Sequence, residues 1–288
     1  MLQQKLTYDP TARFELEAIE VDYRTDGNES WPATIYQPKG EGPFPALVRI
    51  HGGSWNSGDR LDGSILDTTL AEAGMVVASV DFRLAPDHPY PAMVQDANYA
   101  VRWMKAHASE FNADPRCLGG AGDSSGAHTM MLNALRPRDP RYSALPLDLE
   151  ADVDGSVAYV LAMWGVLDPW ERYHYAQRSG IDYLVERTKA YFLTEEAVQE
   201  GSPTLILERG EQVEMPPVII VQGDKDDNIP PQIPTAFEKA YTARGGHVEL
   251  NWFPGMPHRF GKLEGPESDD ARHRMVEFAA RQIAAFAS

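Results

Sequence analysis

Residues 120–128 read GAGDSSGAH, with two adjacent serines between glycines. The pattern Gly-x-Ser-x-Gly fits Gly122–Gly126 and centres on Ser124, whereas centring it on Ser125 would leave no glycine at either end. Small residues on both sides let a chain reverse sharply between a strand and a helix, which exposes the central hydroxyl. The spacing therefore predicts Ser124 as a nucleophile and the backbone N–H of Ser125 as a donor to an oxyanion.

These glycines do not fit a phosphate-binding loop. The dinucleotide fingerprint Gly-x-Gly-x-x-Gly needs its third glycine one residue before Gly126, and the chain has no Gly-x-x-x-x-Gly-Lys-Ser/Thr motif. We therefore expect no nucleotide cofactor.

A serine hydroxyl is a weak nucleophile unless a base activates it and a carboxylate orients that base. In a mostly parallel sheet such groups gather beyond the carboxyl ends of the strands. Of the eight histidines, His258 follows the last predicted strand on a loop, in FPGMPHRF. His128 lies one helical turn past Ser124, where packing or capping is expected, and His51 is expected to brace its own loop. We predict His258 as the base.

Three aspartates follow a buried apolar run in VIIVQGDKDDNIP, namely Asp224, Asp226 and Asp227. A calcium loop starting at Asp224 would need glycine in its sixth position and glutamate in its twelfth. The chain has Ile229 and Thr235 there, so this alternative fails and no metal is expected. We predict Asp226 as the acid that orients the base.

Asp168 is the main alternative for the acid, because it also follows a predicted strand at the same edge. Choosing Asp226 gives the chain order Ser124, Asp226, His258, which is expected for a serine triad on this architecture.

The fourth element is HGGSW, residues 51–55, at the end of another buried strand. Adjacent glycines leave backbone N–H groups free to face a ligand, as an oxyanion hole requires. We predict Gly52, Gly53 and the N–H of Ser125 as the donors.

Strands and helices alternate along the chain, which predicts an α/β fold with a mostly parallel central sheet flanked by helices on both faces. Amphipathic helical pieces interrupt the alternation over 168–214, after the sixth predicted strand, and are expected to form a cap over the site. Residues 1–288 are otherwise predicted to form one domain. The predicted strands lie at 17–25, 32–38, 46–52, 75–83, 117–124, 157–165, 217–224 and 247–255.

Charge and composition narrow the partners of this 288-residue chain. A net charge of −17 argues against nucleic acid and anionic membranes, which both need a basic surface. No signal peptide or long apolar span is evident, and Cys117 is the only cysteine, so a cytoplasmic location is expected. A homodimer is a further expectation, because the edge after the last strand and the C-terminal helix offer surfaces for contact between two copies.

These motifs resemble the α/β-hydrolase superfamily, in particular the esterase and lipase group related to hormone-sensitive lipase. The stretch DFRLAPDHPYPA at 81–92 is similar to that group's D-[YF]-R-L-A-P-E-H-P-[FY]-P-A signature. GDKDDNIP is similar to its acid loop, which again selects Asp226, and PHRF to its histidine loop. The resemblance covers the chain from about Ala46 onward and implies the α/β-hydrolase fold.

Two features depart from that group. Ser54 stands where its oxyanion motif often has a third glycine, and H-G-G-x-W also occurs in arylformamidases and feruloyl-esterase-like enzymes. The predicted cap follows the sixth strand instead of preceding the sheet. The resemblance implies a cofactor-free serine carboxylesterase acting on small-molecule esters. An arylformamidase or other amide hydrolase, and a non-catalytic ligand-binding protein, are the alternatives.

Four aromatic residues near the predicted site are candidates for the lining of an acyl pocket. They are Trp55, Trp164, Trp170 and Tyr173. Aromatic residues at strand ends also often belong to the core, so this assignment depends on which way their rings point.

Overall fold

The computed structural model describes residue 6, residues 8–147 and residues 153–287. Its strands form one eight-stranded sheet in the order β1-β2-β4-β3-β5-β6-β7-β8. β1 pairs antiparallel with β2, and β2 with β4, while every other neighbouring pair is parallel. The strands, β1 to β8 in chain order, are Leu16–Asp26, Glu29–Pro38, Phe44–Ile50, Val76–Val80, Ala113–Asp123, Val160–Met163, Val218–Gly223 and Val248–Phe253.

Nine α-helices are found among the described residues, and most connect successive strands. Two short 3₁₀ turns, Ala108–Phe111 and Phe260–Lys262, accompany them. The helices, α1 to α9 in chain order, are Ser64–Glu72, Ala92–His107, Ser125–Leu135, Pro169–Ser179, Asp182–Phe192, Glu195–Glu200, Pro203–Glu208, Gln232–Ala243 and Pro266–Ala287.

The central strands are buried on both faces. In β3, Ala46, Val48 and Ile50 belong to a hydrophobic core on one face, and Leu47 belongs to a second core on the other. Successive side chains of a strand point to opposite faces, so a strand covered on both sides reads as an unbroken apolar run. The structure confirms the predicted mostly parallel sheet with helices on both faces.

Two boundaries bear on the site. β5 begins at Ala113, earlier than the predicted residue 117, because its first residues pair with the start of β3 before a register shift. Four helices, α4 to α7, lie between β6 and β7, within the predicted insertion at 168–214. In the part of the chain that the structure describes, no helix is long and apolar enough to cross a membrane.

Candidate active site

Ser124 occupies a sharp turn between β5 and α3. Its backbone has φ 52° and ψ −118°, a conformation that side-chain-bearing residues rarely adopt and that is typical of functional sites. Glycine is required on both sides. A Cβ on Gly122 would lie 2.4 Å from the carbonyl carbon of Gly126, and one on Gly126 would lie 2.1 Å from the carbonyl oxygen of Ile50. The turn therefore packs directly against the end of β3.

Three predicted side chains form a hydrogen-bonded series. The Oγ of Ser124 lies 3.2 Å from Nε2 of His258, and Nδ1 of His258 lies 2.8 Å from Oδ2 of Asp226. An ionised carboxylate can only accept hydrogen bonds, so Nδ1 carries the proton and Nε2 is free to accept the serine hydroxyl. The neutral ring is thus held in the tautomer that can remove a proton from Ser124.

The Asp226 carboxylate is fixed by four donors. Besides His258, Oδ2 accepts from Nε2 of Gln222 at 2.9 Å, and Oδ1 accepts from the backbone N–H of Asn228 at 2.9 Å and of Ile229 at 2.8 Å. Asp168, the alternative acid, instead accepts from the N–H of Glu171 as the N-cap of α4 and from the hydroxyl of Ser202. The geometry brings Asp226, and not Asp168, to His258.

The HGGSW loop follows β3 and lies against the Ser124 turn. Gly53 has φ 127°, and a Cβ there would lie 1.8 Å from the carbonyl oxygen of Ser57. A Cβ on Gly52 would lie 2.6 Å from Oδ2 of Asp123. Among the described residues, no hydrogen bond from the N–H of Gly53 or Ser125 is found. Glycine at position 52 therefore lets the loop approach Asp123 and Ser124, and glycine at position 53 lets the loop fold back on Ser57.

His51 and Trp55 hold the two ends of this loop. His51 is buried, stacks on Phe82 with 4.2 Å between ring centroids, and directs Nδ1 to the carbonyl of Gly52 at 2.7 Å. At the other end, the N–H of Trp55 donates to Oγ of Ser125 at 3.1 Å. His51 thus lies in a bracing position, as expected, and the Ser125 side chain supports the loop.

His128 is buried and connects the Trp55 ring to the insertion. Its Nδ1 accepts from Nε1 of Trp55 at 3.1 Å, so its Nε2 carries the proton and donates to the carbonyl of Gly201 at 2.8 Å. Burial lowers the pKa of His128 to about 4. A second ring proton would point Nδ1–H at the indole N–H, placing two donors against each other. His128 therefore has a packing role, as the sequence predicted.

We expect His128→Gln to flatten the dependence of stability on pH. An unfolded histidine titrates near 6.5, so the unfolded chain takes up this proton first as pH falls. The stability that neutral His128 contributes is complete above pH 6.5 and is lost as pH falls toward 4. Between pH 7 and pH 5 this loss is about 2 kcal/mol in the free energy of unfolding. Urea titration of both proteins at the two pH values measures the difference.

The control for this prediction is His247→Gln, because His247 is exposed and, among the described residues, its side chain hydrogen-bonds only to Glu249, at 3.2 Å. Burial also lowers the pKa of His51, which adds a loss of the same sign. The informative quantity is therefore the difference from wild type. A His128→Gln protein that keeps the wild-type slope would contradict the prediction.

A series of charged groups lies beneath the serine turn. Fully buried Arg49 pairs with Asp67 and, at 3.3 Å, with Asp123. The Nζ of Lys262 lies 2.7 Å from Asp123 and 3.0 Å from Asp62. Asp123, the residue before the predicted nucleophile, therefore serves as a charged anchor between β3 and the loop after β8.

The insertion contacts the acid loop through Arg172 of α4. This buried guanidinium donates from Nε and Nη2 to Oδ1 of Asn228 at 3.0 and 2.8 Å, and the N–H of Asn228 donates to Asp226. Burial lowers the pKa of Arg172 to about 10, which leaves it protonated at neutral pH. No carboxylate pairs with it among the described residues. This connection between the insertion and Asp226 could not be predicted from the sequence, because it depends on how the insertion packs.

A cavity of about 310 Å³ opens beside Ser124 and His258. The insertion supplies part of its wall through Tyr183 and Arg187 of α5. The remaining lining includes Asp62, Asp123, Asn228, Arg259 and Lys262. The wall of this cavity is therefore mostly polar and charged.

The predicted aromatic lining differs from this wall, because none of the four candidate residues lines the cavity. Trp55 and Trp164 are each 1% exposed, Tyr173 packs within the insertion, and Trp170 is partly buried against the core. Trp164 lies behind the site, with its ring edge-on to that of His258 at 6.3 Å between centroids. Rings at the strand ends turn inward here because apolar contacts are available there.

The described residues contain no group of three or more histidine, cysteine, aspartate or glutamate side chains placed to hold a metal ion. The two carboxylates of the cavity, Asp62 and Asp123, instead pair with Lys262.

The chain is similar in sequence to a known protein family and to known esterases. Residues 33–241 match the family model described as BD-FAE. Esterase LipC of Mycobacterium tuberculosis is 30% identical over 244 residues, which cover 82% of this chain and 58% of LipC. The chain spans between 31% and 70% of the length of the other curated relatives compared.

Solved structures share the fold. Thermogutta terrifontis esterase 2 phosphonylated by sarin superposes with a TM-score of 0.73 at 22% identity, over 93% of this chain and 94% of that one. An inhibited esterase B from Lactobacillus rhamnosis gives 0.76 at 19% identity, over 97% and 89%. The chain therefore shares the fold of these two esterases, and the Ser124, His258 and Asp226 side chains meet within that fold.

Proposed function

Because this chain belongs to the BD-FAE family and has the α/β-hydrolase fold, we propose that it is a serine carboxylesterase acting on small-molecule esters. The observation that carries the proposal is the hydrogen-bonded series from Ser124 through His258 to Asp226, with distances of 3.2 and 2.8 Å. Related proteins named as esterases, LipC among them, support the same reaction class.

In the first half of the reaction, Nε2 of His258 removes the proton of Ser124 as Oγ attacks the ester carbonyl carbon. The ring becomes cationic, and the carboxylate of Asp226 stabilises that charge while holding the ring in place. His258 then gives the proton to the departing alcohol oxygen as the carbon–oxygen bond breaks. The products are the free alcohol and an acyl group on Ser124.

The negative charge that develops on the carbonyl oxygen needs fixed donors. We assign this role to the N–H groups of Gly52, Gly53 and Ser125, which belong to the two tight turns at the serine. Each such donor is worth roughly 3–4 kcal/mol in the transition state. Water then attacks the acyl group, with His258 again acting as base, and the carboxylic acid leaves.

The test combines a substrate panel with covalent labelling. We expect p-nitrophenyl esters of short acids to be hydrolysed faster than long-chain esters, because the cavity is only about 310 Å³. N-formyl aryl amides assayed beside them measure the competing amide activity. A fluorophosphonate should add to Ser124, which mass spectrometry of the digested protein locates. Absence of both ester hydrolysis and labelling would contradict the proposed function.

The organisation as one domain, the cytoplasmic location and the homodimer remain predictions of the sequence. They do not enter the proposed mechanism, since all of its groups come from a single copy of the chain.

A further inference from the structure

Among the described residues, one cation of the cavity beside Ser124 has no carboxylate partner. Lys262 lies between Asp62 and Asp123, and Arg259 also pairs with Asp62 at 3.0 Å. Arg187, half-buried on α5, has no carboxylate within salt-bridge distance among the described residues. The Arg187 side chain is therefore available to pair with a ligand, whereas Arg259 and Lys262 already pair with carboxylates of the protein.

The contacts that Arg187 does make are long and neutral. Its Nη1 lies 3.3 Å from the carbonyl oxygen of Gly53 and 3.4 Å from Oγ of Ser57. A guanidinium has five N–H donors in a planar fork that matches a carboxylate with two parallel hydrogen bonds. Two long contacts from one nitrogen leave most of this capacity unused. The contact with Gly53 also places the group beside the proposed oxyanion loop.

The balance of charges around the cavity also favours an anionic ligand. Three cations and two carboxylates line the cavity, although the whole chain carries a net charge of −17. A local charge opposite in sign to that of the whole molecule concentrates ligands of the complementary sign. The cations are Arg187, Arg259 and Lys262, and the carboxylates are Asp62 and Asp123.

We propose that Arg187 is a specificity-determining residue that binds a carboxylate group of the substrate, so that the site favours anionic esters over neutral ones. The proposal rests on the proposed esterase function and names the substrate class of that same site. The small cavity limits the substrate to a short ester whose carboxylate lies a few bonds from the reacting carbonyl. This carboxylate belongs either to the acyl part or to the alcohol part.

Two matched pairs of substrates distinguish a carboxylate in the acyl part from one in the alcohol part. Monomethyl succinate and methyl levulinate differ in having a carboxylate or a neutral acetyl group at the end of the acyl chain. Acetoxyacetate and acetoxyacetone make the same comparison on the alcohol side. Release of methanol or acetate gives kcat/KM for each. We expect the anionic member of at least one pair to be preferred by about ten- to a hundredfold, the usual range for a hydrogen bond to a charged group.

Variants of Arg187 test its part in this preference. Arg187→Gln should abolish the preference by slowing the anionic ester and sparing its neutral partner, while Arg187→Lys should keep part of it. The control is Lys189→Gln, which removes an exposed positive charge from the same helix and should keep the full preference. Circular dichroism and thermal melting verify that each variant is folded.

Two results would overturn the proposal while leaving the esterase function intact. One is equal kcat/KM within both pairs for the wild-type protein. The other is an equal loss on anionic and neutral esters in Arg187→Gln, which would mean that Arg187 only positions the loop at Gly53.

A binding measurement tests the inference without turnover. Monomethyl succinate titrated into Ser124→Ala should bind at least tenfold more tightly than methyl levulinate, and adding Arg187→Gln should remove that difference. The corresponding alcohol-side pair is titrated in the same way. If the wild-type protein hydrolysed no member of either pair while Ser124→Ala still bound the anionic ester more tightly, the esterase function alone would be contradicted. Equal affinities within both pairs would overturn the role of Arg187.

Discussion

Replacing Ser124 by alanine is expected to lower kcat for ester hydrolysis by at least about 10⁴-fold, because no other hydroxyl is hydrogen-bonded to His258 among the described residues. The variant should remain folded. Alanine has the same difficulty with φ 52° as serine, and the Oγ of Ser124 has His258 as its hydrogen-bond partner. Rates with p-nitrophenyl acetate and thermal melting curves measure the two effects.

The adjacent serine provides the matched control. Ser125→Ala keeps the backbone N–H assigned to the oxyanion hole and loses only the hydrogen bond from the N–H of Trp55. Such a bond is worth about 1 kcal/mol, so a loss of no more than about tenfold is expected. If Ser125→Ala were the inactive variant and Ser124→Ala remained active, the assignment of the nucleophile would be wrong.

Replacing Asp226 by asparagine is expected to lower kcat by about 10⁴-fold with little change in the fold. The backbone N–H groups of Asn228 and Ile229 require an oxygen where Oδ1 now lies. They therefore turn the new amide nitrogen toward His258. The ring must then accept at Nδ1 and carry its proton on Nε2, which faces Ser124 and can no longer remove a proton from it.

Asp227→Asn is the control for this substitution. Asp227 is the next residue along, is exposed, and its contact with Tyr175 uses the backbone carbonyl, so the same change of chemistry there leaves His258 untouched. Its kcat should stay within about twofold of wild type. A small loss in Asp226→Asn would show that the tautomer of His258 does not depend on Asp226, and a large loss in Asp227→Asn would show that the effect is not specific to the acid.

Much of the fold could be predicted because it follows from local patterns. Strands buried on both faces are continuous apolar runs, and the glycines at 122 and 126 are demanded by contacts shorter than 3 Å. The sequence does not predict the start of β5, because Asp114 and Arg116 interrupt the apolar pattern there. Pairing with β3, which depends on residues distant in the sequence, is what makes that segment a strand.

The positions of Ser124, Asp226 and His258 could be predicted because each follows a recognisable strand at one edge of the sheet. The wall of the cavity could not. Arg187 lies in the middle of a helix whose pattern reports only which face is buried, and its approach to Gly53 depends on how the insertion packs. Position in the sequence places aromatic residues near the cavity. It does not reveal whether a ring at a strand end points into the cavity or into the core.

The stack between Trp55 and Tyr191 has a consequence for how molecules reach the serine. The two rings are within 1° of parallel, with centroids 4.9 Å apart, and His128 joins the same group to Gly201. These contacts hold the HGGSW loop, which contains Gly52 and Gly53, firmly against the insertion. We therefore expect an entrance of fixed width that admits molecules according to their size. An outward movement of the insertion would displace the loop that carries Gly52 and Gly53, whose N–H groups the proposed reaction requires.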